Sequence, residues 1–562
     1  MSGLTVLVLL SFLGQAAFAD PPVPNVEFTG NRHLSEEKLV QAFHLEAGCF
    51  GEPESVFAAL ERVLALYRDL GYLFAKAEVV EEPDELARLL VRVEEGQRYT
   101  VGHIGMEGNE SISDNMILSQ MDTRAGGIFV QEMFLKDMEH ILRLYEDNGF
   151  AFVQVVPQGF SYDTVDHKIG LILRIMEGPK VRLAGVKVKG CTISKPQYLA
   201  RESGIRKGQV FSALELENAK RRLERLTFLV RVGDFRLEPA SSEEMVWAIV
   251  EVEEGAMNIV YGILGYEPGE EGGLTGLLTI SLENLTGRGR GLKARWQRTN
   301  PLTSWLDLAY REPFVFSYDV GFEVSFSHQI RDTSFTKSSL SVVGETRSGT
   351  VLGFSLGLSL DRVLPGSFPV PSSRSYGVRT GIWVDTRDSP RLPRRGIFYT
   401  IHAQYALRMN SPTQLVREPE PRANTGRLTF DFIHHVPSFG EQSFYAAVHG
   451  REAYSSEPVV PFHDYFFLGG ASSVRGYREE QFAGSRVAWA NMEYRFQLGR
   501  DSYLYPFLDI GYYESKGTGS VLGYGIGLTL KKGLAGIGLD YGLAKEDKPL
   551  DGRIHLRLTG QF

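Results

Sequence analysis

From about residue 258 almost to the C-terminus, over roughly 300 residues, apolar and polar side chains alternate at the two-residue period of a strand with one greasy and one wet face. That pattern, sustained for so long, is what a large membrane barrel needs. In 490–498, Ala490, Met492, Tyr494, Phe496 and Leu498 share one face, expected to meet lipid, while Asn491, Glu493, Arg495 and Gln497 share the other. In the terminal segment Ile554, Leu556 and Leu558 alternate with His555, Arg557, Thr559 and Gln561. In 278–282, Leu278, Ile280 and Leu282 alternate with Thr279 and Ser281. The pattern places 16 strand candidates over 256–562. Long connections around 409–424 and 456–484 follow candidates 9 and 11, and tight ones near Thr286-Gly287-Arg288, Arg347-Ser348-Gly349 and Lys532-Gly533 follow candidates 2, 6 and 14. Outer-membrane-type barrels have long outer loops and short inner turns, so this parity fits an antiparallel 16-stranded transmembrane β-barrel. A soluble sandwich alternates too, but has no need of so many strands without a break.

Bulk composition conceals this. A mean hydropathy of -0.14, with 23% charged residues and a net charge of -9, is ordinary for a soluble protein, because only alternate barrel residues need be apolar. Beyond the N-terminus no apolar run is long enough for a membrane-spanning helix. The acidic balance argues against a nucleic-acid partner. The apolar stretch 5–13 followed by Ala17-Phe18-Ala19 reads as a signal peptide over 1–19, with export and a mature start at Asp20. It lacks the usual basic start, since no Lys or Arg precedes Arg32; a start codon assigned too far downstream would explain that. Cys49 and Cys191 fall in different modules and read as small hydrophobes rather than a disulfide.

Between the signal and the barrel lie three units, 22–97, 98–179 and 180–255, each expected to run strand, helix, helix, strand, strand. They open alike, with Val26-Glu27-Phe28-Thr29-Gly30-Asn31, Ile104-Gly105-Met106-Glu107-Gly108-Asn109 and Val186-Lys187-Val188-Lys189-Gly190. The second helix of each carries an apolar stripe: Phe57, Leu60, Leu64, Tyr67; Phe134, Met138, Ile141, Tyr145; Leu216, Ala219, Leu223, Leu226. Gly71 and Gly149 end the first two of these helices, whereas the third runs Leu226-Thr227-Phe228 without a glycine. Each unit closes on an acidic turn, at Glu94-Glu95-Gly96, Glu177-Gly178-Pro179 and Glu253-Glu254-Gly255.

In order and spacing these repeats resemble POTRA domains, the α+β modules that precede barrels of the BamA and TamA superfamily. Exposed sheet edges on such modules accept an extended segment of another chain, so the resemblance implies protein partners. Four barrel motifs occur in the family's order: Glu283-Asn284-Leu285-Thr286-Gly287-Arg288-Gly289; Asp385-Thr386-Arg387-Asp388 with Pro393 and Gly396; Val474-Arg475-Gly476-Tyr477 in the sixth outer loop; and Phe507-Leu508-Asp509-Ile510-Gly511. The chain end, an aromatic at Phe562, resembles the signal by which outer-membrane barrels are recognised for assembly. In this family the sixth loop folds back into the barrel. The resemblance implies that Arg475 pairs with Glu493 and Asp509 on the inner wall, and alternation independently turns Glu493 inward. Gly476 would let the loop turn tightly and Tyr477 would wedge it.

Closing the cylinder requires the first strand, 258–266, to pair with the last, 552–562. Gly262, Gly265, Gly560 and the terminal Phe562 mark this joint, where glycines weaken strand packing. Such a seam can open sideways and offer its edge to an incoming strand. The expected function is that of a TamA-like assembly factor in the bacterial outer membrane with its POTRA domains in the periplasm. Its expected partners are unfolded outer-membrane β-proteins as clients, a TamB-like periplasm-spanning partner and outer-membrane lipid. Three repeats favour this reading over two-partner secretion pores, which carry two POTRA domains and usually a plug helix, but that pore remains the alternative. Neither glycine-rich run, Gly287-Arg288-Gly289 or Gly523-Tyr524-Gly525-Ile526-Gly527, opens a helix, and both read as turn and strand glycines. His434-His435 point to opposite faces of a strand and cannot readily share a metal. No cofactor, metal or enzymatic chemistry is expected.

Overall fold

The computed structural model describes residues 25–44, 53–81, 88–240, 242, 244–267, 273–300, 302–315, 318–348, 351–367, 369–388, 393–499, 502–532 and 535–561. The signal peptide over 1–19, Cys49, the turn glycine Gly533 and Phe562 lie outside them. The chain divides into two compact units: one runs to Arg182 and takes in Val210–Ala213, and the other holds the remainder of the third repeat together with the barrel.

In the first unit, the leading repeat comprises β1 (Asn25–Thr29), α1 (Glu36–Phe43), α2 (Pro53–Asp69), β2 (Lys76–Glu81) and β3 (Arg88–Glu94). Its sheet has the order β1-β3-β2, with β1 parallel to β3. The second repeat, β4 (Thr100–Glu107), α3 (Asp114–Gln120), α4 (Gln131–Asp147), β5 (Gln154–Asp163) and β6 (Lys168–Met176), repeats the order as β4-β6-β5. Helices α2 and α4 end as their glycines require: Gly71 and Gly149 take positive φ. The amides of Tyr72 and Phe150 then donate back to the Tyr67 and Tyr145 carbonyls at 3.0 and 3.1 Å. One stripe is displaced from expectation. The core face of α2 is Val56, Ala59, Leu60, Val63 and Tyr67, and Phe57 lies 65% exposed, because a helix turns about 100° per residue and Val56 claims the inward side.

The third repeat comprises β7 (Arg182–Lys189), α5 (Pro196–Glu202), α6 (Ala213–Glu224), β8 (Leu229–Val232), β9 (Arg236–Pro239) and β10 (Met245–Glu254). Its middle strand is broken into β8 and β9, both paired with β10. Cys191 is a free thiol packed at the edge of this repeat's core. The closing acid of every repeat has one structural use. Glu95 accepts the amides of Arg32 and His33 at 2.7 and 2.9 Å. Glu177 accepts the Ser111 amide and hydroxyl at 2.8 and 2.6 Å, and Glu254 accepts the amides of Thr192, Ile193 and Ser194 at 2.7, 2.7 and 2.8 Å. Each carboxylate thus staples the loop after the repeat's first strand, satisfying amides that no strand or helix reaches.

The barrel strands are β11 (Asn258–Glu267), β12 (Gly273–Leu285), β13 (Arg290–Asn300), β14 (Thr303–Glu312), β15 (Val320–Arg331), β16 (Phe335–Ser348), β17 (Leu352–Pro365), β18 (Ser372–Asp385), β19 (Gly396–Ser411), β20 (Arg422–Pro437) and β21 (Ser443–Ser455). A small hairpin within the sixth outer loop follows, β22 (Phe466–Leu468) with β23 (Phe482–Gly484). The wall then continues as β24 (Arg486–Gly499), β25 (Ser502–Glu514), β26 (Thr518–Lys532), β27 (Ala535–Ala544) and β28 (Arg553–Gln561). These form a closed antiparallel barrel, and the hairpin stands apart from it. The alternation sorts as expected. On β17, Phe354, Leu356, Leu358 and Leu360 face out, 41–68% exposed, while Ser355 and Ser359 are buried inward. On β24, Phe496 and Leu498 are exposed and Asn491 and Glu493 buried. An outward apolar surface of this extent is stable only against lipid.

Candidate functional site

The sixth outer loop turns into the lumen instead of standing above the barrel. Its tip places Leu468, Val474 and Arg475 out of reach of solvent. Arg475 Nε and Nη2 donate to the two oxygens of Asp509 at 2.8 and 2.7 Å, and Nη1 donates to Glu493 Oε1 at 2.8 Å. Its own amide also reaches Asp509, at 2.9 Å, and the guanidinium lies 3.7 Å from the centre of the Phe507 ring. Asp509 is completely buried. The lumen side of β24 and β25 thus presents two carboxylates to a planar cation, a geometry lysine cannot reproduce. Asn491 completes it, donating to Asp509 and to the Ser473 carbonyl, both at 2.7 Å, and Arg495 covers the other oxygen of Glu493 at 2.8 Å.

The residues around the motif also find places. Gly476 has a φ of +90°, and a Cβ there would press on the Leu543 carbonyl at 2.6 Å. The Tyr477 hydroxyl donates to the Leu522 carbonyl at 3.1 Å, and its ring meets Phe482 edge-on. On β26, Gly523 sits where any side chain would overlap the Arg475 carbonyl. This is a use for Gly523 that reading the run as ordinary strand glycines does not give: the wall is cut away to let the loop's backbone approach.

Sequence reasoning missed a second anchorage. A short helical turn in the same loop, Phe462–Asp464, carries a buried Asp464. It meets Lys337 of β16 at 3.0 Å, Arg427 of β20 at 3.3 Å, and Arg408 of β19. Arg408 also donates to Glu457 at 2.9 Å. Between the two anchors, Arg331 of β15 pairs with Glu480 at 2.6 Å and stacks on Phe467. No short motif announces these partners, which lie far apart along the chain.

Two of the motifs without a physical role in the sequence fasten the third repeat to the barrel. In the β12–β13 turn, Asn284 donates to the Ser194 hydroxyl at 2.7 Å and accepts the Gly289 amide at 2.7 Å, while the Lys195 amide donates to the Gly287 carbonyl at 2.7 Å. After β18, Arg387 forks onto Asp385 at 2.9 and 3.0 Å, and Arg225 donates to the Asp385 carbonyl.

The seam is the weakest joint of the wall. Among the described residues β11 and β28 share three register pairs, Ile259 with Gln561, Val260 with Gly560 and Tyr261 with Thr559. Gly560 therefore lies within the seam, but Gly262 and Gly265 do not: they pair only with Leu278 and Thr275 of β12. Gly262 instead allows close approach of β12, whose Leu277 carbonyl would stand 2.7 Å from a Cβ. The paired residues are those next to the third repeat. Among the described residues no register pair joins β11 to β28 beyond Tyr261.

A barrel with a lumen-anchored loop and tandem POTRA-like repeats can now be set beside known proteins. The profile of the Omp85 superfamily domain matches residues 371–562, and that of the surface antigen variable number repeat, POTRA, matches 21–96 and 99–178. The chain belongs to the Omp85 superfamily. Its POTRA domains accordingly lie in the periplasm and its barrel in the outer membrane. Among curated relatives, the outer membrane protein assembly factor BamA of Nitratidesulfovibrio vulgaris is 24% identical over 535 residues, covering 87% of this chain. The chain spans 65% of that relative's length. Among solved structures, BamA from Haemophilus ducreyi lacking POTRA domains 1-3 aligns with a TM-score of 0.50 at 15% identity, covering 83% of this Omp85 chain and all of that one. CdiB from Acinetobacter baumannii aligns equally, with a TM-score of 0.50 at 15% identity over 83% of this chain and 90% of that one. Both likenesses speak to the fold. Among the described residues one grouping, Asp122, Asp137 and His140, brings metal-type ligand atoms within 4.8 Å. Asp137, however, already accepts the amides of Asp122 and Thr123 at 2.6 and 2.9 Å.

Proposed function

We propose that this Omp85 protein assists the folding and insertion of other outer-membrane β-proteins by lending them the edge of its own seam. The observation that carries this is the three-pair joint between β11 and β28, set against ten pairs between β11 and β12. At about 1 kcal/mol net per backbone bond, and roughly one bond per residue pair, the seam holds by about 3 kcal/mol and its neighbour by about 10. Thermal opening therefore falls on the seam. Backbone groups left unpaired in a bilayer are costly, so an exposed edge there favours any strand that can cap it. A client hairpin gains the same bonds, and no covalent chemistry is needed. The POTRA sheets, with open edges such as β5, would bind clients or a periplasmic partner by strand addition. On the strength of three repeats we take the protein as TamA-like, acting with a TamB-like partner; co-purification from the native envelope tests that finer assignment.

The same fold also serves a secretion protein such as CdiB, so a polypeptide pore is the competing reading. It requires the lumen loop to leave, which its several buried ion pairs oppose. The deciding experiment follows a urea-unfolded outer-membrane protein folding into liposomes, with and without the reconstituted chain, by heat-modifiable gel mobility. Acceleration that vanishes when Val260→Cys and Gly560→Cys are oxidised together, and returns on reduction, is the expected result. Unchanged folding rates together with ion conductance would establish the pore instead.

A further inference from the structure

Where the third repeat meets the barrel, a cavity of about 800 Å³ opens between α5, α6 and the near ends of β14, β15 and β16. Seven arginine and lysine side chains line it, against four carboxylates. Asp319 holds Arg201 at 3.8 Å and Arg206 at 3.2 Å, Glu345 holds Arg311 at 3.3 Å, and Glu202 accepts the Tyr198 hydroxyl at 3.2 Å. Lys207 and Arg347 are exposed and enter no ion pair among the described residues. Arg222 contributes a buried Nε with no hydrogen-bond partner. Its guanidinium lies against Gly204, where any side chain would overlap it. A buried guanidinium N–H without an acceptor is costly, so a side chain that lines a cationic cavity and keeps one points to an anion.

We propose that this cavity binds a phosphate oxyanion, held by Arg222, Arg347 and Lys207. A single carboxylate would leave most of that charge unanswered. A phosphate offers several acceptor oxygens, and the planar fork of arginine suits two of them at once. Beside the cavity the turn after β14 exposes Tyr318 at 72%, and β15 begins with an outward Val320. This is the level at which a lipid-facing wall gives way to an interface, where aromatic rings and basic residues meet headgroups. The oxyanion is thus supplied by an inner-leaflet phospholipid headgroup or by free phosphate, and the same side chains would take either. The inference is independent of the insertase reading, since it needs no seam opening.

The test uses the full chain in nanodiscs of phosphatidylethanolamine with phosphatidylglycerol, released for native mass spectrometry, with inorganic phosphate in detergent as the second arm. The wild-type chain is expected to retain phosphatidylglycerol, with retention about tenfold weaker in the Lys207→Gln, Arg347→Gln double variant. Because Arg222 packs inside the unit, Arg222→Gln is a supporting comparison and the exposed pair is the decisive one. If only inorganic phosphate binds, raising the Tm of wild type and not of the double variant, the site stands with a soluble ligand. Retention that is the same in wild type and double variant overturns the proposal, as does capture of an acidic peptide with no binding of either phosphate source.

Discussion

The lumen loop is held at two ends by ion clusters of opposite sense. At its tip the loop supplies the cation, and the wall supplies Glu493 and Asp509; Arg495, Asp540 and Arg557 extend the cluster to three cations and three carboxylates. At Asp464 the loop supplies the carboxylate, and the wall supplies Lys337, Arg408 and Arg427; with Glu457 that makes three cations to two carboxylates. The balanced cluster can lose its loop partner and keep internal pairs. The cation-rich one cannot, because removing Asp464 leaves the buried Lys337 and Arg408 and the half-buried Arg427 sharing one carboxylate. A loop fixed by two clusters of unlike polarity can also dock in only one register, since sliding it would bring like charges together.

The largest effect is therefore expected from Asp464→Asn, which keeps the shape but removes the charge. Breaking a buried pair costs about 3–5 kcal/mol, and the upper end applies here. Hydrogen exchange of the amides in 462–484 should rise towards that of an undocked loop. Next comes Arg475→Ala, expected near the lower end, about 3 kcal/mol, because Asn491 still donates to Asp509 and Arg495 still covers Glu493. Protease cleavage at the tip should appear in both variants, faster in the first. If Arg475→Ala proves the more disruptive, the charge-balance comparison is wrong and the bidentate geometry governs instead.

One anchor was legible in the sequence and the other was not, for physical reasons. Val474-Arg475-Gly476-Tyr477 resembles a family motif, and strand period alone turns Glu493 inward, so two of the clamp's parts could be placed from the order of residues alone. Asp464 sits in a loop turn with no periodicity, and Lys337, Arg408 and Arg427 come from three strands where each reads as an ordinary inward polar residue. Alternation says which way a side chain points and nothing about which inward residues meet across a lumen. The same limit explains the seam. Composition marked Gly262 and Gly265 as weak points, but pairing ends at Tyr261, since register is set by closure of the whole barrel. Local signals fared best where structure is local: the order of elements in the repeats, the helix-ending Gly71 and Gly149, and the strand number were all readable. The face of α2 was misjudged by one residue at Phe57, where adjacent Val56 and Phe57 both fit a helical stripe.

A smaller effect sharpens the contrast from the side of the wall. Gly523→Ala adds a methyl where the Arg475 carbonyl now lies, and overpacking of this kind costs about 1–3 kcal/mol. The tip should shift away from β26, raising hydrogen exchange at 474–477, while amides near Asp464 stay protected. Equal loosening at both ends would mean that the two clusters act as one rigid body and not as separate anchors.

The smallest effect separates these buried clusters from the acid staples of the POTRA repeats, which hold loops mainly by backbone amides and hydroxyls donating to a carboxylate. Burial would raise the Glu254 carboxyl, but the hydrogen bonds from Ser194, Thr192 and Ile193 outweigh it and hold the group at about 2, against 4.5 when free. A depressed folded value means that the staple contributes its full stability above about pH 4.5, and that the contribution fades as the pH falls towards 2. Glu95 is displaced in the same direction: burial opposes the shift, and the His33 side chain and the His33 and Arg32 amides prevail. Acid should therefore loosen the loop at 192–194 across that window, and the loop at 32–33 in the same direction, read as faster exchange of those amides after correction for the intrinsic pH dependence. Glu254→Gln, which keeps the acceptor oxygen but carries no charge, should show the loosening already at neutral pH and lose its dependence on acid. If the variant still titrates at that loop, the staple is not the group responsible, and the distinction between a lone hydrogen-bonded carboxylate and a charge-paired cluster would have to be redrawn.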